Sequence, residues 1–212
     1  MNLRRDLIGN GYRIVPVKGK RPRIDRWPRL NIQAAQVEGY TRKHADHTNT
    51  GVLTGEIVAI DIDAPDPETA EKLIARIMDI PGATSSPCRT GRAPKCLFVF
   101  RTKEPRKKLS TPVYTVNGQK CQVEVLGDGQ QFVAYGDHAE TGKPYTWQNG
   151  DPLTVAAADL PLIDPATVCA FLADAEAILA ESGTPEKQAA PKPDRTRSEE
   201  HTSELQSHSD LV

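Results

Sequence analysis

The residues best suited to chemistry lie in the run Val58-Ala59-Ile60-Asp61-Ile62-Asp63. Side chains alternate between the two faces of a β-strand, so the aliphatic residues would share a buried face while Asp61 and Asp63 project from the other. Two carboxylates on one face repel each other unless a cation lies between them, and Mg²⁺ or Mn²⁺ suits this role because both prefer oxygen ligands. Asp-x-Asp alone is a weak motif, and the alternative is a strand end with two solvated acids.

A second acidic residue lies in the predicted strand Gln122-Val123-Glu124-Val125-Leu126, where Glu124 alternates with two valines. An acid between apolar residues on a strand is unusual. Beside the aspartate pair it would complete a three-carboxylate cluster, the arrangement that holds two metal ions for phosphoryl transfer. The sequence leaves open whether the two strands are neighbours, and the alternative is an edge strand with Glu124 in solvent.

Basic residues follow the aspartates in the segment Arg89-Thr90-Gly91-Arg92-Ala93-Pro94-Lys95. Arg89, Arg92 and Lys95 could bind a polyphosphate, the arginines through their forked guanidinium groups and the lysine as a point charge. His138 lies in a turn after a predicted strand and could contact the same ligand. A solvated basic loop and a surface histidine are the alternatives.

The N-terminal stretch is strongly basic, with nine Lys and Arg residues against two acids in residues 1–30. It contains Lys20, Arg21 and Arg23, with Trp27 close behind. Such a stretch suits phosphate or nucleic acid, with the tryptophan available to stack on a base. The alternative is again a solvated surface.

Composition limits the class of protein. The 212 residues are 38% hydrophobic and 26% charged, which is typical of a soluble globular protein. No apolar run approaches the roughly 18–20 residues of a membrane span, and the N-terminus lacks a secretory signal, so we expect a cytoplasmic protein. The four cysteines have no C-x-x-C spacing, which gives a zinc site little support.

Hydrophobic periodicity and turn residues predict the elements that must position these side chains. Residues 84–95 are predicted to be turn-rich, and residues 103–110 a basic loop or a helix start. Strands are predicted over 12–17, 57–63, 96–100, 113–116, 122–126 and 132–135, with a short strand ending at Trp147. Helices are predicted over 31–47, 67–79 and 165–182.

The composition changes after the last predicted helix. We therefore expect a single catalytic domain over residues 1–182 and a Pro- and Lys-rich linker over 183–196. Residues 197–212 have little to bury and resemble the read-through of a sequencing-library adapter, so we expect a non-native disordered tail.

The order of these motifs resembles the N-terminal domain of bifunctional DNA primase/polymerases, within the archaeo-eukaryotic primase superfamily. The resemblance covers about residues 8–165, and the ordered combination is more specific than any one piece. The pieces are Lys20, Pro22 and Trp27, Thr50-Gly51-Val52, Thr54-Gly55, Asp61-x-Asp63, Arg89-x-Gly91-Arg92, Lys95, Glu124, His138, Thr141-Gly142 and Tyr145-x-Trp147.

The resemblance implies an α+β fold, with a mixed or antiparallel sheet, an RRM-like catalytic core and flanking helices. It implies template-directed joining of nucleotides in replication, with a single-stranded DNA template and NTP or dNTP as partners. By carry-over Asp61, Asp63 and Glu124 are the catalytic and metal-binding residues for Mg²⁺ or Mn²⁺. Relatives of this type often carry a helicase, so a C-terminal or separate helicase and a plasmid, phage or mobile-element context are also implied.

One motif departs from the family pattern. The second motif is usually Ser-x-His and helps to bind the incoming nucleotide, but the corresponding stretch here reads Ala93-Pro94-Lys95-Cys96. Lys95, with Arg89 or Arg92, is the candidate replacement for the histidine.

Two alternatives to a primase/polymerase stay open. The same sheet could serve as a non-catalytic single-stranded-DNA-binding module in replication initiation, with a degenerate active site. A haloacid-dehalogenase-like phosphatase also begins with Asp-x-Asp after an apolar strand, but it usually has Thr or Val four positions after the nucleophilic aspartate. Position 65 is proline, and the later lysine and acid pair are not evident.

Overall fold

The structure, a computed structural model, describes residues 2–186 of the chain. The predicted tail over 197–212, and the predicted linker from residue 187 onward, lie outside the described residues. The helices are α1 Leu3–Gly9, α2 Val37–Lys43, α3 Pro67–Met78 and α4 Pro165–Ser182. The strands are β1 Ile14–Val17, β2 Asn49–Leu53, β3 Ile57–Asp63, β4 Cys88–Arg92, β5 Lys95–Arg101, β6 Leu109–Ser110, β7 Tyr114–Val116, β8 Gln119–Leu126, β9 Gln131–Tyr135, β10 Thr146–Gln148 and β11 Thr184–Pro185.

Two antiparallel sheets form the framework, and with the four helices they make a mixed α+β fold of the expected primase type. The larger sheet has the strand order β10-β4-β5-β3-β8-β7-β11, with β6 also paired to β8. The smaller sheet has the order β1-β2-β9. Strand β3 lies at the centre of the larger sheet and pairs with β5 on one side and β8 on the other.

Helices α3 and α4 cover one face of the larger sheet. Each begins at an aspartate, Asp66 or Asp164, whose side chain accepts a backbone N–H three residues on, and each has proline in its first turn. Their buried residues recur every three or four positions and pack on the aliphatic face of β3. The predictions of a strand over 57–63 and of helices at 67–79 and 165–182 are confirmed to within a residue.

The other face of the larger sheet packs against the smaller sheet. Ala59, Leu97 and Leu126 contribute to this core from the larger sheet, and Val52 and Phe132 from the smaller one. Small and aliphatic side chains allow close contact over most of this face. At the end of β3 the aliphatic residues give way to Asp61 and Asp63, so the two sheets enclose polar side chains there.

Two predictions of secondary structure were wrong, and two elements were missed. Residues 84–95 contain strand β4, which pairs with both β5 and β10, although its composition is that of a turn. The helix predicted over 31–47 is confined to Val37–Lys43, after a 3-10 turn over Ala34–Gln36 that is closed by reciprocal hydrogen bonds with Gln33. Strand β2 and helix α1 were not predicted.

The first residues of the predicted linker include strand β11, Thr184–Pro185, which pairs with β7 at the edge of the larger sheet. The four cysteines are free thiols, and three of them are buried: Cys88, Cys96 and Cys121. Cys169 is exposed on α4.

Candidate active site

The two acidic strands predicted from the sequence are neighbours. Asp61 on β3 is paired directly with Glu124 on β8, and residues paired across antiparallel strands project from the same face. Asp63 lies two residues further along β3 and therefore shares that face. All three carboxylates face the smaller sheet, away from α3 and α4.

Strand register also brings the predicted cations to this face. Arg89 on β4 pairs with Leu97, which in turn pairs with Asp61, so these residues form one row across the sheet. Arg92 pairs with Lys95 in the next row. The polar character of β4 is thus explained by its position, because its inward side chains line a polar space rather than a core.

These residues line a cavity of about 310 Å³ between the sheets. It brings together eight of the predicted site residues: Lys20, Asp61, Asp63, Arg89, Arg92, Lys95, Glu124 and His138. The remaining three, Arg21, Arg23 and Trp27, lie outside it. A second cavity, of about 500 Å³ and largely apolar, lies on the opposite face of the sheet between β3, β8 and the start of α4.

Asp61 lies deepest of the three carboxylates. Its pKa is raised from 3.8 to about 6: burial is the largest cause, the positive charge of Arg89 opposes the rise, and the neighbouring Asp63 and Glu124 carboxylates add to it. Buried carboxylates behave in this way because desolvation disfavours the charged form. The charged form of Asp61 is therefore disfavoured in this position, and a bound cation would stabilise it.

The other two carboxylates have lysine partners. Lys95 Nζ lies 2.5 Å from Asp63 Oδ1, and Lys108 Nζ lies 2.5 Å from Glu124 Oε1. Within the described residues Asp61 has no ion pair of this kind. Nor does any group of three or more His, Cys, Asp or Glu side chains surround one point there as a ready metal site.

The donor chemistry nevertheless fits Mg²⁺ or Mn²⁺. Three carboxylates on one face of two paired strands supply the oxygen ligands that these hard cations prefer. The desolvated Asp61 and the two ammonium groups placed against Asp63 and Glu124 indicate that this face requires positive charge.

Arg89 is held in one orientation by the cavity wall. Its guanidinium carbon lies 4.6 Å from the centre of the Tyr145 ring and 5.8 Å from that of Phe132, and Nη1 donates to the Val133 carbonyl. Its Nε is buried without a hydrogen-bond partner in the structure. Burial lowers the pKa of Arg89, but an arginine remains charged at neutral pH. Arg89 thus places a fixed positive charge in the wall of the cavity.

His138 and Tyr145 close one side of the cavity. Their rings meet edge to face with centroids 5.5 Å apart, and His138 Nδ1 accepts from the Thr141 N–H at 3.4 Å. Gly91 makes this packing possible, since a Cβ there would lie 2.5 Å from Tyr145 Cε1 and 2.7 Å from His138 Cδ2. Burial lowers the pKa of His138 and so favours its neutral form.

The basic N-terminal stretch divides into structural and exposed residues. Arg4 is buried and joins α1 to β2, donating to Thr50 Oγ1 at 3.1 Å and to the Asn49 carbonyl at 3.1 Å. Lys20 lies at the cavity rim, 3.6 Å from Glu140. Arg21 and Arg23 are exposed, whereas Trp27 is half-buried against a small apolar cluster and presents only part of its ring.

Lys108 and Tyr145 are the site residues that the sequence predictions omitted. Tyr145 was noted only as part of a motif, and its stacking on Arg89 is visible only in three dimensions. Lys108 lies in the basic run before β6, and that short strand pairs with β8 opposite Glu124. No local pattern marks this pairing, because the intervening residues carry no strand signal.

One protein family matches this arrangement of motifs. The family model for bifunctional DNA primase/polymerase, N-terminal, matches residues 4–162. The chain belongs to this family. The resemblance drawn from the sequence is therefore confirmed, and the prim-pol domain supports a nucleotidyltransferase of the primase/polymerase type, for which DNA and nucleotides are the implied substrates. No curated protein matches the chain. None of the helices within residues 2–186 combines the length and apolarity needed to cross a bilayer.

Proposed function

We propose that residues 1–182 act as a template-directed DNA primase/polymerase whose active centre is the cavity between the two sheets. The observation that carries this proposal is the convergence of Asp61, Asp63 and Glu124 with a set of cations in one cavity of a prim-pol chain. Nucleotidyl transfer needs both sets, because catalysis of phosphoryl transfer rests on positioning and on stabilising charge.

The cations are assigned to the triphosphate. Arg89, fixed by stacking on Tyr145, lines the cavity and would contribute its positive charge, and Arg92 and Lys95 lie further along the same part of the sheet. The neutral, buried His138 is suited to a hydrogen bond with a phosphate or sugar oxygen rather than to an ion pair. Lys95 and the two arginines would thereby replace the histidine that the second motif lacks.

The carboxylates are assigned to divalent metal. Asp61, Asp63 and Glu124 would hold Mg²⁺ or Mn²⁺, in keeping with the chemistry of their oxygen donors. When bound, the metal supplies activation of the attacking 3′-hydroxyl and stabilisation of the pyrophosphate leaving group. The protein contributes the carboxylate of Asp61, whose raised pKa reflects its desolvation.

The single-stranded template is assigned to the exposed basic stretch beside the cavity. Lys20 reaches the cavity rim, and Arg21 and Arg23 continue the positive charge outward. The exposed part of Trp27 could stack on a base. A replication role with a helicase partner, in a plasmid, phage or mobile element, follows from the resemblance alone.

Nucleotide incorporation on a single-stranded template tests this function. The chain is assayed with Mg²⁺ and with Mn²⁺, beside the Asp61→Asn/Asp63→Asn double variant and a Gly39→Ala control on an exposed helix position with open space around it. We expect metal-dependent extension by the parent chain and the control, and none by the double variant. Unchanged extension by the double variant would refute the assignment of the carboxylates.

One observation favours a second candidate, a non-catalytic single-stranded-DNA-binding module. Lys95 and Lys108 neutralise two of the three carboxylates, as they would in a degenerate active site. Salt-sensitive binding of single-stranded DNA with no incorporation in either metal would support this candidate.

A further inference from the structure

Two lysines contact carboxylate oxygen atoms that the proposed function assigns to metal binding. Lys95 Nζ and Lys108 Nζ each lie 2.5 Å from a carboxylate oxygen, on Asp63 and Glu124 respectively. The side chains of these pairs are between 27% and 56% exposed, so the ammonium groups remain in contact with solvent. These pairs are therefore accessible and breakable, unlike a fully buried ion pair.

The sheet itself aims both lysines at these carboxylates. Lys95 directly precedes Cys96, which pairs with Ile62, so the lysine lies beside Asp63 at the next position of the ladder. Lys108 directly precedes β6, whose Ser110 pairs with Glu124. Each lysine reaches across from a neighbouring strand, and each therefore has a fixed base and a flexible stem.

An ammonium group and a metal ion compete for one carboxylate oxygen. Mg²⁺ binds oxygen at about 2.0–2.1 Å, so an ammonium group in hydrogen-bond contact with the same oxygen repels the ion and opposes its binding. Without any counter-charge, three carboxylates on paired strands would repel one another and resist folding. Lysines at two of the three solve that problem while the cation is absent.

We propose that Lys95 and Lys108 are displaceable counterions that set the affinity of the site for divalent metal. This inference rests on the proposed function, because it takes Asp63 and Glu124 as metal ligands. The lysines stabilise the metal-free carboxylates and thereby weaken metal binding. Lys95 lines the cavity and remains there after release from Asp63, where its ammonium faces the space assigned to the triphosphate.

The neighbouring residue Lys107 provides a matched control. Its Nζ also lies 2.5 Å from a carboxylate oxygen, but the partner is Asp128, which does not line the cavity. Lys107→Met therefore removes the same charge and an equally short ion pair from the adjacent position. An effect of Lys108→Met that Lys107→Met lacks must arise at Glu124.

The test measures Mn²⁺ binding without nucleotide, by loss of the free-ion signal in electron paramagnetic resonance. Breaking a partly exposed ion pair costs up to about 1 kcal/mol, so Lys95→Met and Lys108→Met should each tighten Mn²⁺ binding about fivefold. Lys107→Met should bind Mn²⁺ as the parent chain does, and Lys108→Arg, which keeps the charge, should show no gain. Thermal unfolding with and without Mn²⁺ gives a second readout, in which the same two methionine variants gain more stability from the ion.

Each outcome has one meaning. Tighter Mn²⁺ binding in Lys95→Met and Lys108→Met, but not in Lys107→Met, supports the proposal. This holds also if the parent chain binds Mn²⁺ too weakly to measure. Equal or weaker binding in either Lys95→Met or Lys108→Met, or the same gain in Lys107→Met, overturns it. Failure of the proposed function is read separately, as incorporation that survives in Asp61→Asn/Asp63→Asn, so the two failures can be told apart.

Discussion

The substitution Asp61→Asn should stabilise the metal-free protein while abolishing incorporation. Burial raises the pKa of Asp61 from 3.8 to about 6, so the folded protein holds this proton over a pH range in which the unfolded chain has lost it. The stability of the parent chain therefore falls as pH rises between about 4 and 6 and is lowest, for this group, above that window. Asparagine has a similar shape and carries no charge to desolvate.

The magnitude follows from the displacement of the pKa. Each pKa unit corresponds to 1.36 kcal/mol, so a rise from 3.8 to about 6 corresponds to a loss of about 3 kcal/mol above pH 7. We expect Asp61→Asn to match the parent chain near pH 4 and to exceed its free energy of unfolding by up to about 3 kcal/mol at pH 8.

Urea unfolding at pH 4.5 and pH 8, in the presence of a chelator, measures this difference. Asp63→Asn is the matched control, because Asp63 is more exposed and already paired with Lys95. That variant loses an ion pair and should gain nothing at pH 8. Addition of Mn²⁺ should stabilise the parent chain at pH 8 but not Asp61→Asn. An Asp61→Asn variant no more stable than the parent chain at pH 8 would refute the account of Asp61 as a desolvated charge.

Three further predictions concern the walls and the rim of the cavity. Gly91→Ala places a Cβ 2.5 Å from Tyr145 Cε1. Overpacking of this kind costs about 1–3 kcal/mol of stability, and displacement of the ring should weaken nucleotide binding about fivefold or more. Equilibrium binding of a fluorescent dNTP measures this, and Gly39→Ala, with open space around it, should be unaffected. Arg89→Lys loses the planar stacking on the cavity wall and should lower incorporation by about tenfold or more even at saturating metal; a rate equal to that of the parent chain would contradict the assignment. Arg21→Ala/Arg23→Ala should weaken single-stranded DNA binding and reduce the slope of log K against log salt by about 1.4. Fluorescence anisotropy at several salt concentrations measures this slope, and an unchanged slope would contradict the assignment of these residues to template binding.

The sequence was sufficient for the elements whose signal is local. Strand β3 alternates without interruption, and α3 and α4 have an aspartate cap, a proline in the first turn and an apolar stripe, so their bounds could be predicted closely. The carboxylates Asp61, Asp63 and Glu124 were singled out because acids in strand alternation with aliphatic residues need a physical reason.

The missed elements are those whose stability comes from distant partners. Strand β4 reads as a turn because Arg89 and Arg92 serve the cavity, and only pairing on both edges makes it a strand. Strand β2 is buried along its whole length, although it contains Asn49 and Gly51. The Asn49 amide donates to the Gly19 and Asp137 carbonyls, an arrangement that no local pattern reveals.

The site was likewise only partly predictable. Spacing along one strand placed Asp61 and Asp63 on one face, but their nearness to Glu124 depends on the order of strands, which the sequence does not state. The lysine partners of the carboxylates were not predicted. Lys95, which was predicted to contact the triphosphate, also lies against Asp63, and Lys108 was not considered at all.

The division of the large sheet into two faces makes the molecule convenient for labelling. Three of the four thiols are buried, and the remaining one, Cys169, borders the apolar cavity beneath α4, across the sheet from the carboxylates. A maleimide dye should therefore attach to Cys169 in the folded protein without any cysteine being removed. A fluorophore at that position would report distances to a labelled primer or template while leaving the space around Asp61 free, so the path of the nucleic acid could be mapped by energy transfer in the unmutated chain.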